Sequence, residues 1–328
     1  AARQGRLFHP NWPLAPVPSA LVATLLIAGA ASAQTTSLPP VTVLGRTAPP
    51  VADVSGWGEF PLREVPLSAT VVGREQLQQS GARRLADLTR FDASVTDAYN
   101  APGYWDFLTV RGFTLDNRFN YRRDGLPINA ETSFGLENKE RLEVLMGISG
   151  MQAGTSAPGG LVNLVTKRAG AAVRSATLEA RESGSLLGAA DIGDRFGADG
   201  RFGLRVNAAY EKLDPKLRDA KGERWLAGLA ADAQLTPDTL LQAEVESSHR
   251  RQASAAGFSM LGDSVPDPKR IDPRLNLNSQ PWNLPVVMDG TTASLRLQQR
   301  IGTDWQFTAH AMQQRLKNDD RTAFPYGV

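Results

Sequence analysis

From residue 201 onward the chain alternates. Between Arg201 and Glu211, Phe202, Leu204, Val206, Ala208 and Tyr210 share one side, and Arg201, Arg205, Asn207 and Glu211 share the other. A period of two over such a stretch predicts a β-strand with one apolar face. The pattern returns downstream. Trp225, Ala227, Leu229, Ala231, Ala233 and Leu235 oppose Gly228, Asp232 and Gln234; Leu241, Ala243 and Val245 oppose Gln242, Glu244 and Glu246. Ala293, Leu295, Leu297 and Ile301 oppose Ser294, Arg296, Gln298 and Arg300, and Trp305, Phe307, Ala309 and Ala311 oppose Gln306, Thr308 and His310. With two weaker runs, Ser175 to Glu182 and Leu187 to Arg195, this predicts about seven strands of roughly ten residues. Phe202 and Tyr210 bracket one apolar face; at ~3.3 Å per residue and a tilt of ~40° they stand about 20 Å apart in height, close to the ~25 Å apolar band of an outer-membrane barrel. The connectors also alternate: "FGADGR", "LTPDT" and "IGTDW" are short, "DPKLRDAKGE" is longer, and Arg250 to Gly290 is very long. Short turns on one side and long loops on the other fit a membrane barrel. A soluble β-sandwich also alternates, but has no reason to bracket its apolar faces with aromatic rings.

Upstream the period is different. "SATVVG" (Ser68 to Gly73) reads as a strand, and "REQLQQSGARRLADLTRF" as two short helices broken at Gly81, with Leu77, Leu85 and Leu88 at helical spacings. "DFLTVRGF" reads as a strand with Leu108 and Val110 on one face, Asp124-Gly125 as a tight turn, and "RLEVL" (Arg141 to Leu145) and "GLVNLVTK" (Gly160 to Lys167) as further strands. The last is apolar on both faces and is expected inside its sheet. Its glycine-rich approach, "AGTSAPGG", ends in Gly159-Gly160-Leu161 without the Gly-Lys-Ser/Thr that a phosphate loop needs, so nucleotide binding is rejected. The expected fold class is therefore an α+β segment over residues 53–169, followed by the N-terminal strands of a transmembrane antiparallel β-barrel over residues 170–328.

The N-terminus is read as a processing signal. Arg3 and Arg6 precede the apolar stretch Ala20 to Ala30, and Ala31-Ser32-Ala33 closes it before Gln34, so residues 1–33 are expected to be a cleaved secretory signal rather than an anchor. Residues 34–52 are extended in character and contain proline. Val41-Thr42-Val43 alternates like a strand, which suits either strand addition to a partner's sheet edge or a plain linker.

Composition narrows the functional classes. The 328 residues include no cysteine, so disulfides and thiolate metal sites are excluded, and the three histidines are far apart. A net charge of +2, from 36 basic and 34 acidic residues, shows no basic excess of the kind nucleic-acid binding requires. Hydrophobic content is 41%, yet no apolar run reaches the ~20 residues of a spanning helix, so membrane residence would be by strands. No nucleophile or metal constellation points to an enzyme, and no cofactor is expected.

"PLREVPLSATVVGREQLQQSGARRLADL", "LTVRGF", "RRDGLPI", "RLEVLMG" and "SAPGGLVNLVTKR" occur in that order across residues 60 to 168. As an ordered set they resemble the TonB-dependent outer-membrane receptors of the siderophore-uptake type. The resemblance implies a plug folded inside a barrel of about 22 strands, a bacterial outer-membrane location in contact with lipid, a monomer, and TonB with its inner-membrane energising complex as partner. It implies that iron arrives as a ferric siderophore, the ligand being free to be a hydroxamate, a catecholate, another metallophore or a cobalamin-like compound. Leu38, Pro39, Pro40, Val41, Thr42, Val43 and Leu44 then read as the TonB box. Only Thr35 to Ser37 separate Gln34 from it, so a transducing function is not expected. Where the family has a stretch like "GPASVLYG", this chain has Gly147 to Gly154 with a methionine and no tyrosine. About seven strands do not close such a barrel, and an open edge cannot face lipid; the chain is expected to be a fragment of a longer receptor or a truncated, non-transporting product. A passive porin would not need the α/β segment.

Tyr99, Tyr104, Trp105, Tyr121 and Trp282 are the candidate ligand contacts, since aromatics suit flat, partly apolar ligands, with simple packing as the alternative. Arg111 and Arg141 match plug positions that in the family pair with barrel acids. Glu244 and Glu246, facing the lumen, are the candidate partners in a plug–barrel lock, with Glu179 and Asp232 next in line; solvated lumen charge is the alternative.

Overall fold

A computed structural model describes residue 52, residues 60–147, 154, 156–255, 267 and 269, and residues 271–322. The signal segment and the candidate TonB box lie outside the described residues. The first part of the chain builds a mixed sheet from β1 (Ala69–Gly73), β5 (Tyr121–Arg123), β6 (Leu126–Pro127), β7 (Lys139–Met146) and β8 (Gly160–Thr166), in the order β1-β7-β8-β5-β6. Helix α1 (Arg74–Gln79) follows β1 directly, its entry fixed by Gln76, whose side chain accepts from the Gly73 N–H at 3.1 Å. It stops before Gly81, which takes φ +64°, and a 3-10 helical stretch over Leu85–Arg90 follows. Leu77, Leu85 and Leu88 pack with Val72, Leu108, Val110, Leu142, Val144, Val162 and Leu164 into one core. β8 is buried at every residue because β7 flanks it on one side and β5 on the other, while Leu161 packs with Leu145 and Ala52 behind it.

Two tight turns organise this unit. Asp124 and Gly125, with φ +45° and +87°, join β5 to β6 in a two-residue hairpin. The turn is riveted to β8: Thr166 N–H donates to Asp124 at 2.9 Å and Gly125 N–H donates to Asn163 at 3.0 Å. The second turn corrects the sequence reading. "DFLTVRGF" is not one strand but two, β3 (Leu108–Val110) and β4 (Phe113–Thr114), folded back at Arg111 and Gly112, whose φ values of +50° and +84° fit the same hairpin class. With β2 (Val95–Asp97) they form a separate three-stranded sheet, β2-β3-β4.

The rest is a seven-stranded antiparallel meander. Its strands are β9 (Val173–Ala180), β10 (Leu186–Phe196), β11 (Phe202–Leu213), β12 (Gly222–Thr236), β13 (Thr239–Gln252), β14 (Val286–Ile301) and β15 (Trp305–Asp319), each paired with its neighbours in sequence. Its polarity is inverted relative to a soluble sheet. Along β11, Leu204, Val206 and Tyr210 are 40%, 41% and 52% exposed, whereas Arg205, Asn207 and Glu211 are each 3% exposed. Apolar side chains face outward and charged ones pack against the first unit, which is the arrangement of a membrane wall around a filled lumen and not of a sandwich. Register places Tyr210, Trp225 and His249 in one outward row, and Trp225 stacks on His249 at 6.1 Å. Phe196 and Phe202 stack at the opposite end. Connectors 197–201, 237–238 and 302–304 lie at one end of the sheet, and 181–185, 214–221 and 253–285 at the other. The last of these is shorter than expected. β13 continues to Gln252 through polar residues, and β14 begins at Val286, with Val286 and Met288 turned inward onto the first unit instead of outward.

Candidate functional site

The first unit meets the wall through charge. Glu244 and Glu246 occupy successive lumen-facing positions of β13 and are 6% and 5% exposed. Arg123, at the end of β5, pairs with both, its guanidinium lying 2.8 Å from Glu246 and in contact with Glu244. Lys139, the first residue of β7, reaches Glu246 at 2.6 Å, and Asn138 donates to the same carboxylate at 2.6 Å. Arg168 closes the cluster, 3.4 Å from Glu244 and 3.2 Å from Asp124. Burial opposes the charged form of Arg123, but Glu246 and Glu244 outweigh it and hold its pKa above the ordinary value. For Lys139 burial wins, helped by Arg123, and lowers the ammonium pKa against the pull of Glu246. Burial also opposes the Asp124 carboxylate, yet Arg168, the Thr166 N–H and Arg123 keep its pKa below the ordinary value.

Further ion pairs cross the same interface. Arg224 of β12 lies 2.6 Å from Glu137 of the first unit and 2.6 Å from Glu211 of β11. Lys167 lies 2.9 Å from Asp191 of β10, which is also held by Arg205 of β11 at 2.7 Å. Arg83 contacts Glu179 of β9, which Arg181 also holds at 2.8 Å. Charged hydrogen bonds of this kind orient the two layers while remaining separable by force.

An aromatic cluster caps the unit at the end of the long connectors. Tyr99 meets Tyr104 edge-on at 5.1 Å, Tyr104 lies 4.7 Å from Trp105, and Trp105 stacks on Phe107 at 5.4 Å. The loop carrying them turns at Asn100 and Gly103, both at positive φ, and docks on the wall through Ala255 N–H, which donates to Pro102 at 3.2 Å. Tyr104 is buried against Val286 and Met288 of β14, whereas Tyr99 is 43% exposed. Trp105 keeps a buried indole N–H with no hydrogen-bond partner among the described residues.

With that geometry in view, the comparisons identify the first unit. Residues 61–161 match the TonB-dependent receptor plug domain. The chain carries a TonB-dependent receptor plug. Its first unit is the plug, its seven-stranded sheet is wall from an outer-membrane barrel, and the relatives it matches are receptors rather than enzymes. The ferrichrome receptor of Yersinia enterocolitica is 26% identical over 267 residues, covering 76% of this chain and 33% of that protein. The metal-pseudopaline receptor of Pseudomonas aeruginosa is 36% identical over 121 residues, covering 36% of this chain and 17% of the relative. Among solved structures, the ferric preacinetobactin receptor of Acinetobacter baumannii superposes with a TM-score of 0.71 at 21% identity, over 84% of this chain and 41% of the other. The chain thus spans about a third or less of the curated relatives it matches.

At this interface the cations beside Glu244 and Glu246 are Arg123, Lys139 and Arg168. Glu244 and Glu246 are paired across the interface, but Arg111 and Arg141 are not their partners. Arg111 sits in the β3–β4 hairpin and donates to Ser68 at 2.8 Å, and Arg141 bonds Glu143 within the plug at 2.8 Å. A β-bulge between Lys139 and Arg141 sends these two cations to different surroundings. Arg123 and Lys139 were not singled out from the sequence. The available signal was "RRDG", two arginines running straight into a hairpin turn at a strand end. Of the other acids, Glu179 does meet the plug, while Asp232 pairs within the wall with Arg195 at 2.6 Å.

Among the aromatic candidates, Tyr99, Tyr104 and Trp105 cluster, and Trp282 stands in the 253–285 connector, 69% exposed. Tyr121 needs correction. It lies on β5, not in a loop, is 0% exposed, and accepts from the Leu108 N–H at 2.9 Å, so it is a core residue. No group of histidine, aspartate or glutamate able to hold a metal occurs among the described residues, and none of their helices is long and apolar enough to cross a membrane.

Proposed function

We propose that this chain is the plug and first wall strands of a receptor that imports a ferric siderophore across the outer membrane in a TonB-dependent manner. In this reading the cargo settles on the aromatic apex formed by Tyr99, Tyr104 and Trp105, with Trp282 reaching over from the long connector. TonB adds a strand to Leu38 to Leu44 and pulls, and the plug–wall ion pairs yield. Residues 1–33 are removed on export, 34–52 form the tether, 53–169 the plug and 170–328 wall. The observation that supports this most directly is the plug–wall interface itself. It is closed mainly by charge-assisted pairs, with apolar contact confined to small patches such as Tyr104 on Val286 and Met288, so parting it into water exposes little apolar surface.

The relatives' own cargoes supply the first candidates: ferrichrome, pyoverdine and ferrioxamine B, each loaded with radioactive iron. In cells making the receptor that carries this chain, at least one should be bound and imported. Val41→Pro removes a backbone donor from the segment that would pair with TonB. Import should stop while surface binding persists. Import that survives this change would overturn the assignment of Leu38 to Leu44, and import unaffected by collapse of the proton gradient would overturn TonB dependence altogether.

A further inference from the structure

The plug is not held uniformly across the described wall. Over β13 it is sealed by the Arg123, Lys139 and Asn138 contacts on two buried glutamates. Over β9 and β10 a cavity of about 300 Å³ separates the layers. The middle of its outer side is made of small residues: Thr177 and Ala189 face each other in register, with Ser175 one step below, and Leu187 and Asp191 also line the wall side. Leu77 of α1 and Ala82 line the plug side. An ion pair stands at each end, Arg83–Glu179 toward the long connectors and Lys167–Asp191 toward the short turns.

These end pairs differ from the β13 lock in what they leave behind. If Lys167 withdraws, Asp191 keeps Arg205 of β11 at 2.7 Å. If Arg83 withdraws, Glu179 keeps Arg181 at 2.8 Å. Each wall carboxylate thus has a second cation on the wall. Glu246 has none, because Arg123, Lys139 and Asn138 all belong to the plug. Parting a buried pair is costly mainly when it strands an uncompensated charge, so the plug separates from the wall more readily on the β9–β10 side. The cavity is at the lower end of the ~300–1,000 Å³ that small-molecule sites occupy, and a metal chelate would need the end pairs open to pass.

Building on the import reading, we propose that the cargo crosses on the β9–β10 side, through this chamber, with Arg83–Glu179 and Lys167–Asp191 as its outer and inner gates. The chain has no cysteine, so an introduced thiol is unique within it, and the parent receptor given the same maleimide is the baseline. In the full receptor, Thr177→Cys should import radioiron-loaded ferrichrome, pyoverdine or ferrioxamine B like its parent. After modification with a bulky maleimide, confirmed by mass spectrometry, import should fall at least tenfold while surface binding is kept. Gln242→Cys, lumen-facing on β13, should import normally after the same treatment. Ser175→Cys takes the place of Thr177→Cys if the latter does not reach the membrane. Full import through modified Thr177→Cys, or an equal loss in modified Gln242→Cys, overturns the chamber as the path. A parent that binds these chelates and imports none overturns the import reading itself, which separates the two failures.

Discussion

Removing Glu246 tests the β13 lock at its centre. Three plug groups converge on its carboxylate: Arg123 at 2.8 Å, Lys139 at 2.6 Å and the Asn138 amide at 2.6 Å. The Glu246→Ala change leaves two buried cations to share Glu244. Breaking a buried pair from one side costs about 3–5 kcal/mol, and the near-complete burial of these side chains, 2% exposure for Arg123 and 0% for Lys139, places this case within that range. Arg111→Ala removes one exposed hydrogen bond to Ser68 and should cost about 0.5–1.5 kcal/mol. The reporter is a thiol at Ala130→Cys, a core position that is 2% exposed, read by its labelling rate in the full receptor in vesicles across a urea series. At a tenfold change per ~1.4 kcal/mol, Glu246→Ala should raise labelling by two to three and a half orders of magnitude and Arg111→Ala by one at most. Arg123→Ala combined with Glu246→Ala should fall short of the sum of the single changes by ~0.5–3 kcal/mol. Additive losses, or Arg111→Ala matching Glu246→Ala, would refute the pairing.

Three more predictions use other parts of the structure. The folded-state pKa values of Asp124 and Glu137 are depressed, against the cost of burial, chiefly by Arg168 and Arg224 respectively. Their contribution is present above the ordinary carboxylate range and lost as pH falls through the folded values, so the share of plug stability that Asp124→Asn or Glu137→Gln removes in the same thiol assay should be constant from about pH 7.5 to 5 and shrink only below ~4; a share that falls between pH 7 and 6 would contradict this. Gly160 has φ +145° and lies so close to the Leu145 carbonyl that a Cβ would collide with it; Gly160→Ala should destabilise the plug by at least ~1–3 kcal/mol, and wild-type urea resistance would show that the β7–β8 approach is looser than described. On the wall, Leu204→Arg should cost about 2–4 kcal/mol in folding yield into vesicles, and Arg205→Leu should also be harmful, because it strips Asp191 of a partner at 2.7 Å; a neutral Arg205→Leu would remove the inner support of Lys167.

Much of the architecture was legible before any coordinates, and the reasons are local. The wall strands declare themselves because lipid forces every second side chain to be apolar, and the paired glycines 159 and 160 declare the turn into β8. What was not legible depends on partners distant in sequence. Nothing in "NKERL" says that Lys139 rather than Arg141 faces β13; that choice is made by a bulge whose cause lies in the pairing with β8. Tyr121 looks like a loop aromatic because its strand is three residues long and charged beyond it, yet its hydroxyl is spoken for by Leu108. The ends of β13 and β14 near the long connector were not legible because β13 is polar there and the apolar residues of β14, Val286 and Met288, turn inward onto Tyr104, against the pattern that marks the rest of the wall.

The strand order of the plug sheet also sets its mechanics. β1, the strand nearest the N-terminus, is an edge strand held by β7 alone over five residues. β8, which leads into the wall through residues 167–172, is interior and paired on both sides. Tension entering from the N-terminal side therefore meets the weakest seam first and the tethered strand last. The plug can be peeled from one margin, with β8 remaining as a template onto which β7 and β1 re-form when the load is released.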